Sequence, residues 1–214
     1  MKKRLLAFTL CAAAMFGCAI ESNAQKTVKL FNGKDLSNWS FIVDKNSVPA
    51  EKVYTVKDGL IEISGQPFGY MYTKEKYGNY KLHVEWRWPD GKGTNSGIFL
   101  LIEETKNPFP NGIECQLHAG DAGDFVLLGG SDLAEFYGPR PAFPVVKKDK
   151  DSTEKPAGEW NEANIFVKDG VITVYINGVY QNTGTNKVKE GHIGLQSEGG
   201  PIQFRNVTLT PLGE

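Results

Sequence analysis

Short stretches that alternate apolar and polar residues recur along most of the chain and predict an all-β protein. Successive side chains of a β-strand point to opposite faces, so this alternation indicates strands with one buried face. No segment after Gln25 keeps the 3.6-residue period of an amphipathic helix. The clearest predicted strands are Lys52–Val56, Leu60–Ser64, Tyr80–Trp88, Ser96–Ile102, Gly112–His118, Ala163–Lys168, Val171–Ile176, Gly191–Ser197 and Ile202–Leu209.

Tight turns and one long insertion separate these strands. Asp58-Gly59, Asp169-Gly170 and Asn177-Gly178 predict hairpin turns, because Gly, Asn and Asp tolerate a positive φ better than other residues. The segment Ala119–Glu159 is rich in Gly, Pro and charged residues, and it predicts a long functional loop at the rim of the fold. Many short strands in a single domain predict two packed antiparallel sheets, which form a β-sandwich.

Three separate strands each have one polar face and one apolar face. The polar residues are His83, Glu85 and Arg87, then Glu114, Gln116 and His118, then His192, Gln196 and Glu198. If the three polar faces coincide, they form one working surface. Planar amide and carboxylate groups hydrogen bond to vicinal hydroxyls, so such a surface suits carbohydrate. The alternative is an ordinary antiparallel sheet with one face in water.

The first 24 residues are predicted to be a secretory signal, which leaves residues 25–214 as a single domain. Basic residues at positions 2–4 precede Leu5–Phe16, an apolar run too short to span a membrane. Small residues then precede a cleavage point after Ala24. In the alternative, Cys18 is lipidated. Both processing routes predict export to the periplasm or the cell surface, and no later segment is apolar enough to be a transmembrane segment.

Charge and cysteine content exclude several other classes of protein. The chain has 24 basic and 25 acidic residues; without three basic and one acidic residue of the signal, the counts are 21 and 24, a net charge near −3. This balance predicts no nucleic acid partner. Cys115 is the one cysteine of the predicted domain, so no internal disulfide can form. Its apolar neighbours at period two predict a buried thiol.

No metal or cofactor is expected from the sequence. The three histidines of the domain are too far apart for the spacing of zinc ligands. Asp121, Asp124 and Asp132 lie among glycines without an EF-hand pattern, which leaves calcium as the alternative. The sequence also lacks a nucleophile elbow, a phosphate-binding loop and a dinucleotide fingerprint.

An ordered set of short matches covers most of residues 29–212 and resembles the 3-keto-disaccharide hydrolase family. The first, Leu30–Trp39, is similar to the opening signature of that family, with Asn38 where glycine is frequent. The others are Glu85-Trp86-Arg87, Asn95–Phe99, Gly112–Gln116, Gly158–Asn161, Asn177-Gly178, Gly191–Gln196 and Phe204–Val207. No single match is specific to this family, but the order of the matches along the chain is. The segment Ala119–Glu159 matches only loosely, so the resemblance leaves the substrate open.

The resemblance implies a concanavalin A-like sandwich, the jelly roll of many lectins and glucanases, and an exported bacterial enzyme that cleaves 3-keto-glycosides. A 3-keto group makes the C2 proton acidic, so a base can remove it, the enolate can expel the glycosidic oxygen from C1, and water can add back. Glu114 or His118 is predicted to be the base, and Arg87 to hold the enolate. Glu85 would orient Arg87 or act as the acid, although an ionised Glu85 beside Arg87 argues against the second role. The predicted substrate-binding residues are His83, Asn95, Gln116, Gln196 and Glu198.

Two other functions fit the same residues. A direct glycoside hydrolase would use Glu85 and Glu114 as its paired carboxyl groups. A non-catalytic carbohydrate-binding module would need hydrogen-bonding groups and aromatic rings, but no acid or base. A cleft with Glu, Arg and His beneath a covering loop favours the enzyme, and an open aromatic strip favours the module.

Overall fold

A computed structural model describes residues 26–213 and confirms the predicted all-β sandwich. The predicted signal at residues 1–24, including Cys18, lies outside this range. Helical residues within the range are confined to two short 3-10 turns, Asp44–Asn46 and Ala50–Lys52. None of the helices described has the length and hydropathy that a membrane crossing requires.

Eight antiparallel strands form the first sheet, and the strands are numbered in chain order. They are β1 (Val28–Lys29), β3 (Tyr54–Lys57), β4 (Leu60–Ile63), β6 (Tyr80–Arg87), β11 (Asn161–Lys168), β12 (Val171–Ile176), β13 (Val179–Thr185) and β15 (Ile202–Pro211). Their spatial order is β13-β12-β11-β6-β15-β4-β3, and β1 pairs with the C-terminal half of β15.

Seven antiparallel strands form the second sheet, which packs against the first. They are β2 (Trp39–Val43), β5 (Gly69–Thr73), β7 (Gly97–Glu104), β8 (Asn111–Gln116), β9 (Phe125–Leu128), β10 (Val145–Val146) and β14 (His192–Ser197). Their spatial order is β10-β9-β8-β7-β14-β5-β2.

The predicted strands and turns are present in this architecture. All nine predicted strands occur, and no end differs from the prediction by more than two residues. In the three predicted hairpin turns, both residues of each pair have a positive φ. This is the geometry that lets a two-residue turn follow the twist of the flanking strands. Asp58-Gly59 joins β3 to β4, Asp169-Gly170 joins β11 to β12, and Asn177-Gly178 joins β12 to β13.

The apolar faces of the two sheets form one core. Leu82, Val84 and Trp86 of β6 and Ile113 and Cys115 of β8 are fully buried within it. Burial of each large apolar side chain contributes roughly 1.5–3 kcal/mol. The thiol of Cys115 is buried and free, as predicted, and burial raises its pKa. The alternating pattern of both strands is therefore explained by a core on one side and a polar face on the other.

The segment 119–159 contains more ordered structure than the predicted loop. It includes β9, which pairs with β8, and β10, which pairs with β9 at the edge of the second sheet. The buried carboxylate of Asp124 accepts hydrogen bonds from Nζ of Lys147 (2.7 Å) and from the backbone nitrogen of Lys148 (2.9 Å). These contacts hold the returning chain against the start of β9. The carboxylate of Asp124 is thus engaged by lysines.

Candidate active site

The prediction of one polar face shared by three strands is wrong for β6, because β6 belongs to a different sheet from the other two strands. β6 lies in the eight-stranded sheet, whereas β8 and β14 lie in the seven-stranded sheet. In each strand the apolar residues face the common core, so the polar residues of the two sheets point away from each other. His83, Glu85 and Arg87 therefore lie on the outer face of the first sheet. Glu114 and Gln196 lie on the outer face of the second.

A cleft of about 450 Å³ lies on the outer face of the seven-stranded sheet. Four predicted site residues, Asn95, Glu114, Gln116 and Glu198, provide its polar lining. The predicted residue Gln196 lies beside them, and its Nε2 donates a hydrogen bond of 2.6 Å to Oε2 of Glu198. The apolar lining consists of Phe68, Phe109, Val126, Leu128, Phe143 and Val145.

Glu114 is a deeply buried carboxyl group at the floor of the cleft. Only 3% of the residue is exposed, and its Oε1 has no hydrogen-bonding partner among the described residues. Burial, and secondly the nearby charge of Glu198, raises the pKa of Glu114 well above its usual range. A raised pKa favours the protonated form of this carboxyl group, in which it can act as a donor.

Glu198 lies in a more polar environment than Glu114. Burial raises the pKa of Glu198 as well, but the side-chain amides of Asn95 and Gln196 and the nearby charge of His118 oppose that rise. Glu198 is only partly buried, so it is the member of the pair that ionises more readily. Two neighbouring carboxyl groups with different environments are typical of an acid and a base that act together.

A glycine on the neighbouring strand makes room for Glu114. Gly97 lies opposite Gln116 in the register of β7 and β8, and a Cβ atom at this glycine would lie 2.3 Å from Oε1 of Glu114. Oδ1 of Asn95 and Oε1 of Gln196 are also buried without a partner in the described chain. Such atoms are rare in native proteins; those of Glu114 and Asn95 line the cleft and that of Gln196 lies beside it, so they indicate groups that a polar ligand would satisfy.

Gln116 and His118 lie where β8 ends. Oε1 of Gln116 accepts hydrogen bonds from the backbone nitrogens of Leu117 (2.9 Å) and His118 (2.8 Å). These bonds orient the side-chain amide so that its Nε2 remains available as a donor. His118 is half-exposed at the rim, and its Nδ1 lies 3.0 Å from Oδ2 of Asp121. His118 is therefore an exposed residue whose charge acts on Glu198, whereas Glu114 is buried at the floor of the cleft.

An aromatic wall beside the carboxyl pair was missed by the sequence analysis. Phe68 precedes β5, Phe109 lies in the connection from β7 to β8, and Phe143 lies in the segment 119–159. The ring centroids of Phe68 and Phe109 are 5.8 Å apart, and those of Phe109 and Phe143 are 5.4 Å apart. The three rings come from three separate loops, so no periodicity links them. Large apolar residues within predicted loops were the available signal.

Glu85 does not pair with Arg87, contrary to the prediction. Nε of Arg205 donates to Oε2 of Glu85 (2.6 Å), and Nδ2 of Asn206 donates to its Oε1 (2.6 Å). Arg87 instead donates from Nε to Oε1 of Gln203 (2.8 Å). Burial raises the pKa of Glu85, but the hydrogen bonds that Asn206 and Arg205 donate to it outweigh burial and hold that pKa below its usual range. Glu85 is therefore ionised, in a network on the first sheet.

The rest of this network also lies away from the cleft. The guanidinium groups of Arg87 and Arg205 lie over the ring of Trp160, at 4.7 and 3.9 Å from its centroid. Nδ1 of His83 lies 3.1 Å from Oδ1 of Asn164 on β11. The predicted roles of His83, Glu85 and Arg87 at one site with Glu114 are thus excluded by the sheet topology. The direct hydrolase built on Glu85 and Glu114 is excluded for the same reason.

We expect Arg87→Met to leave turnover within about twofold of the wild type, because Arg87 lies on the sheet opposite the cleft. Turnover assays measure this, and loss of turnover in Arg87→Met would contradict the assignment of this face.

Glu85→Gln should likewise retain turnover but lose about 1–2 kcal/mol of stability, since Arg205 and Asn206 lose a charged acceptor. A carboxyl group with a lowered pKa stabilises the fold above its unfolded-state pKa, and that stability is lost as the pH falls through the folded pKa. The difference in stability between the wild type and Glu85→Gln should therefore shrink in acid. Urea unfolding of both proteins at pH 7 and pH 3 measures this difference, and turnover assays measure the activity that Glu85→Gln retains.

Comparison with known proteins bears on the identity of the chain. The family model for the 3-keto-alpha-glucoside-1,2-lyase-like domain matches residues 26–210. The chain is similar to a 3-keto-disaccharide hydrolase from Bacteroides thetaiotaomicron, at 26% identity over 257 residues. That alignment covers 95% of this chain and 84% of the relative.

Solved structures share the fold at lower sequence identity. A protein named a candidate glycosyl hydrolase, from Parabacteroides distasonis, matches with a TM-score of 0.64 and 23% identity over 87% of this chain and 100% of its own. The carbohydrate-binding module CBM66 from Bacillus subtilis matches with a TM-score of 0.59 and 10% identity, over 81% of this chain and 95% of its own. These likenesses show the fold alone, which hydrolases and binding modules share. The match over residues 26–210 decides between them: the chain belongs to the 3-keto-alpha-glucoside-1,2-lyase-like family of carbohydrate-active, glycoside hydrolase-like enzymes.

Proposed function

We propose that this protein cleaves the glycosidic bond of 3-keto-glycosides by elimination and hydration, in the cleft of the seven-stranded sheet. One observation carries the proposal: the buried Glu114 and the more exposed Glu198 share one cleft, and their pKa values are set by different surroundings. Unpartnered oxygens of Asn95 and Gln196 next to this pair supply hydrogen-bond acceptors for sugar hydroxyls.

The chemistry requires one base and one acid. The base takes the C2 proton, which the 3-keto group makes acidic, and the electrons of that bond form the double bond between C1 and C2. The C1–O bond breaks, and its electrons leave with the glycosidic oxygen, which takes a proton from the acid. Water then adds its hydroxyl to C1 and a proton to C2, so the net reaction is hydrolysis.

The carboxyl pair fits these two roles. In this proposal the ionised Glu198 is the base, and Glu114, whose pKa is raised by burial, is the acid. Nε2 of Gln116, fixed by its two backbone contacts, donates a hydrogen bond to the 3-keto oxygen as negative charge develops there. In this proposal the side-chain amide of Gln116 stabilises the enolate, the role that the sequence predicted for Arg87. His118 at the rim is within reach of a leaving group or of the incoming water.

We further propose that the enzyme acts after export. The support for this step is the pattern of the first 24 residues, with a basic start, an apolar run and small residues at the cleavage point. Mass spectrometry of the mature N-terminus tests it: a chain that begins at Gln25 indicates cleavage, and a lipid on Cys18 indicates anchoring. A chain that retains its first residues in the cell of origin would contradict export.

The oxidation state of the substrate should decide whether turnover occurs. We expect release of the leaving group from a 3-keto-glucoside and none from the unoxidised glucoside with the same leaving group, in whichever anomer is accepted. In D₂O the product should carry deuterium at C2, because the elimination route takes a proton from that carbon and later returns one from solvent. Mass spectrometry of the product measures this, with an enzyme-free sample to correct for spontaneous exchange.

Other outcomes of this experiment identify the competing functions. Equal release from both glucosides without deuterium at C2 would indicate direct hydrolysis by Glu114 and Glu198. This is the second candidate, and the same carboxyl pair favours it. Binding of both glucosides with release from neither would indicate a carbohydrate-binding module. Each of these results would overturn the elimination mechanism.

A further inference from the structure

The cleft has a polar half and an apolar half, and we propose that the apolar half binds an aromatic leaving group. The substrate would then be the 3-keto-glycoside of an apolar aromatic alcohol or phenol, in place of a 3-keto-disaccharide. This inference rests on the proposed function, because it names the leaving group of the same reaction.

The change from polar to apolar follows the order of the strands. Glu114 on β8 lies directly opposite Val126 on β9 in the antiparallel register. On β9, the strand next to β8, the cleft is lined by Val126 and Leu128, and on β10 it is lined by Val145. None of these side chains carries a nitrogen or oxygen atom. A sugar bound over Glu114 would therefore direct any substituent on this side onto hydrocarbon.

The aromatic wall of Phe68, Phe109 and Phe143 closes the apolar half. Phe109 is partly buried and packs against a buried cluster that includes Tyr70 and Phe99. Phe143 packs edge-on against Phe109 and is 52% exposed, and Phe68 is 37% exposed. Two exposed aromatic rings that flank a partly buried one beside a cleft are typical of a ligand site, because folding alone would favour their burial.

The lack of hydrogen-bonding groups in this wall favours an aromatic ring over a second sugar. Sugar hydroxyls need hydrogen-bonding partners when they leave water, and their burial without partners is costly. The side chains of this wall provide none. A flat aromatic ring needs no such partner and packs against phenylalanine at centroid distances of about 4.5–7 Å. When the C1–O bond breaks, its electrons stay on the oxygen of the aromatic alcohol, which takes the proton of Glu114.

The test compares two alcohols as leaving groups, those of benzyl 3-keto-glucoside and of a 3-keto-disaccharide. The sugar hydroxyl is the more acidic alcohol and the better leaving group, so a higher kcat/KM for the benzyl substrate reports recognition. We expect the wild type to prefer the benzyl substrate by about tenfold, which is about 1.4 kcal/mol. Phe143→Ala should lose about tenfold on the benzyl substrate, mainly in KM, and less than twofold on the disaccharide. Tyr137→Ala is the matched control, because Tyr137 is 85% exposed in the same segment and does not line the cleft; it should change neither value.

The outcomes separate this inference from the proposed function. Equal losses of Phe143→Ala on both substrates would assign the wall to a second sugar and overturn the inference, while the elimination reaction would stand. If neither keto substrate is cleaved, the proposed function fails. Calorimetry with unoxidised benzyl and methyl glucosides then decides whether the apolar half binds an aromatic group. A preference for the benzyl glucoside that disappears in Phe143→Ala would support the aromatic site, and equal affinities would overturn it.

Discussion

Replacing Glu114 with glutamine should lower the turnover of a 3-keto-glycoside by about a thousandfold, within the range expected for loss of a general acid. Glutamine has nearly the same shape and can donate a hydrogen bond, but it cannot release a proton to the glycosidic oxygen. Steady-state kcat at the pH optimum measures the effect. The residual activity should also lack the fall at high pH that the wild type shows as Glu114 loses its proton.

The same substitution should stabilise the fold at neutral and alkaline pH. Burial raises the pKa of Glu114 in the folded protein. The stability that such a carboxyl group contributes is complete below its unfolded-state pKa of about 4.3 and is lost as the pH rises through the folded pKa. Glutamine has no proton to lose, so the melting temperature of Glu114→Gln relative to the wild type should increase from acid to neutral pH. A constant difference would contradict the raised pKa.

A matched control keeps the kinetic result specific. Glu162 lies on β11 in the opposite sheet, where its Oε1 accepts a hydrogen bond from Nδ2 of Asn164 (3.3 Å). Glu162→Gln makes the same chemical change away from the cleft and should keep wild-type turnover. A Glu114→Gln enzyme with more than a tenth of wild-type turnover would remove Glu114 from the acid role. A loss in both variants would indicate an effect on the fold.

The sequence determines the two faces of each strand, but not the sheet that the strand joins. Alternation is local, and the apolar face of a strand must be buried whichever partners it has. Pairing is non-local: β6 lies between β11 and β15, whereas β8 lies between β7 and β9. Glu85 and Glu114 therefore occur in equivalent patterns and face opposite sides of the molecule. The same limit explains why Asn95, Gln116, Gln196 and Glu198 meet Glu114 at the cleft and Arg87 does not.

Strands without alternation were also missed. β9 is buried along its whole length, and four of the five residues of β5 are buried, so neither has a polar face to indicate a strand. A short apolar run of this kind fits a strand or a buried loop equally well. The aromatic wall depends on how three loops fold back over the sheet, and that arrangement is set by tertiary contacts such as those of Asp124 with Lys147 and Lys148.

Adding one methyl group at Gly97 should lower turnover by about a hundredfold without removing any reacting group. The new Cβ would lie 2.3 Å from Oε1 of Glu114 and 2.7 Å from its Cδ, so the carboxyl group has to move. A displacement of about 1 Å at a catalytic group is enough for a loss of this size. The φ angle of Gly97 is outside the left-handed region, so alanine is compatible with the backbone, and the melting temperature should change little.

Comparison with the glutamine variant makes this prediction decisive. If Gly97→Ala acts by displacing Glu114, it should add little to the loss already caused by Glu114→Gln, because both changes remove the same interaction. Gly78→Ala is the control, since its Cβ would meet only the carbonyl oxygen of Lys189 at 3.1 Å and the Cβ of Glu190 at 3.9 Å, outside the cleft. That variant should keep full turnover. Losses at Gly97 and Glu114 that multiply would mean that the glycine serves another part of the site, and an unaffected Gly97→Ala enzyme would mean that the position of the carboxyl group does not limit the reaction.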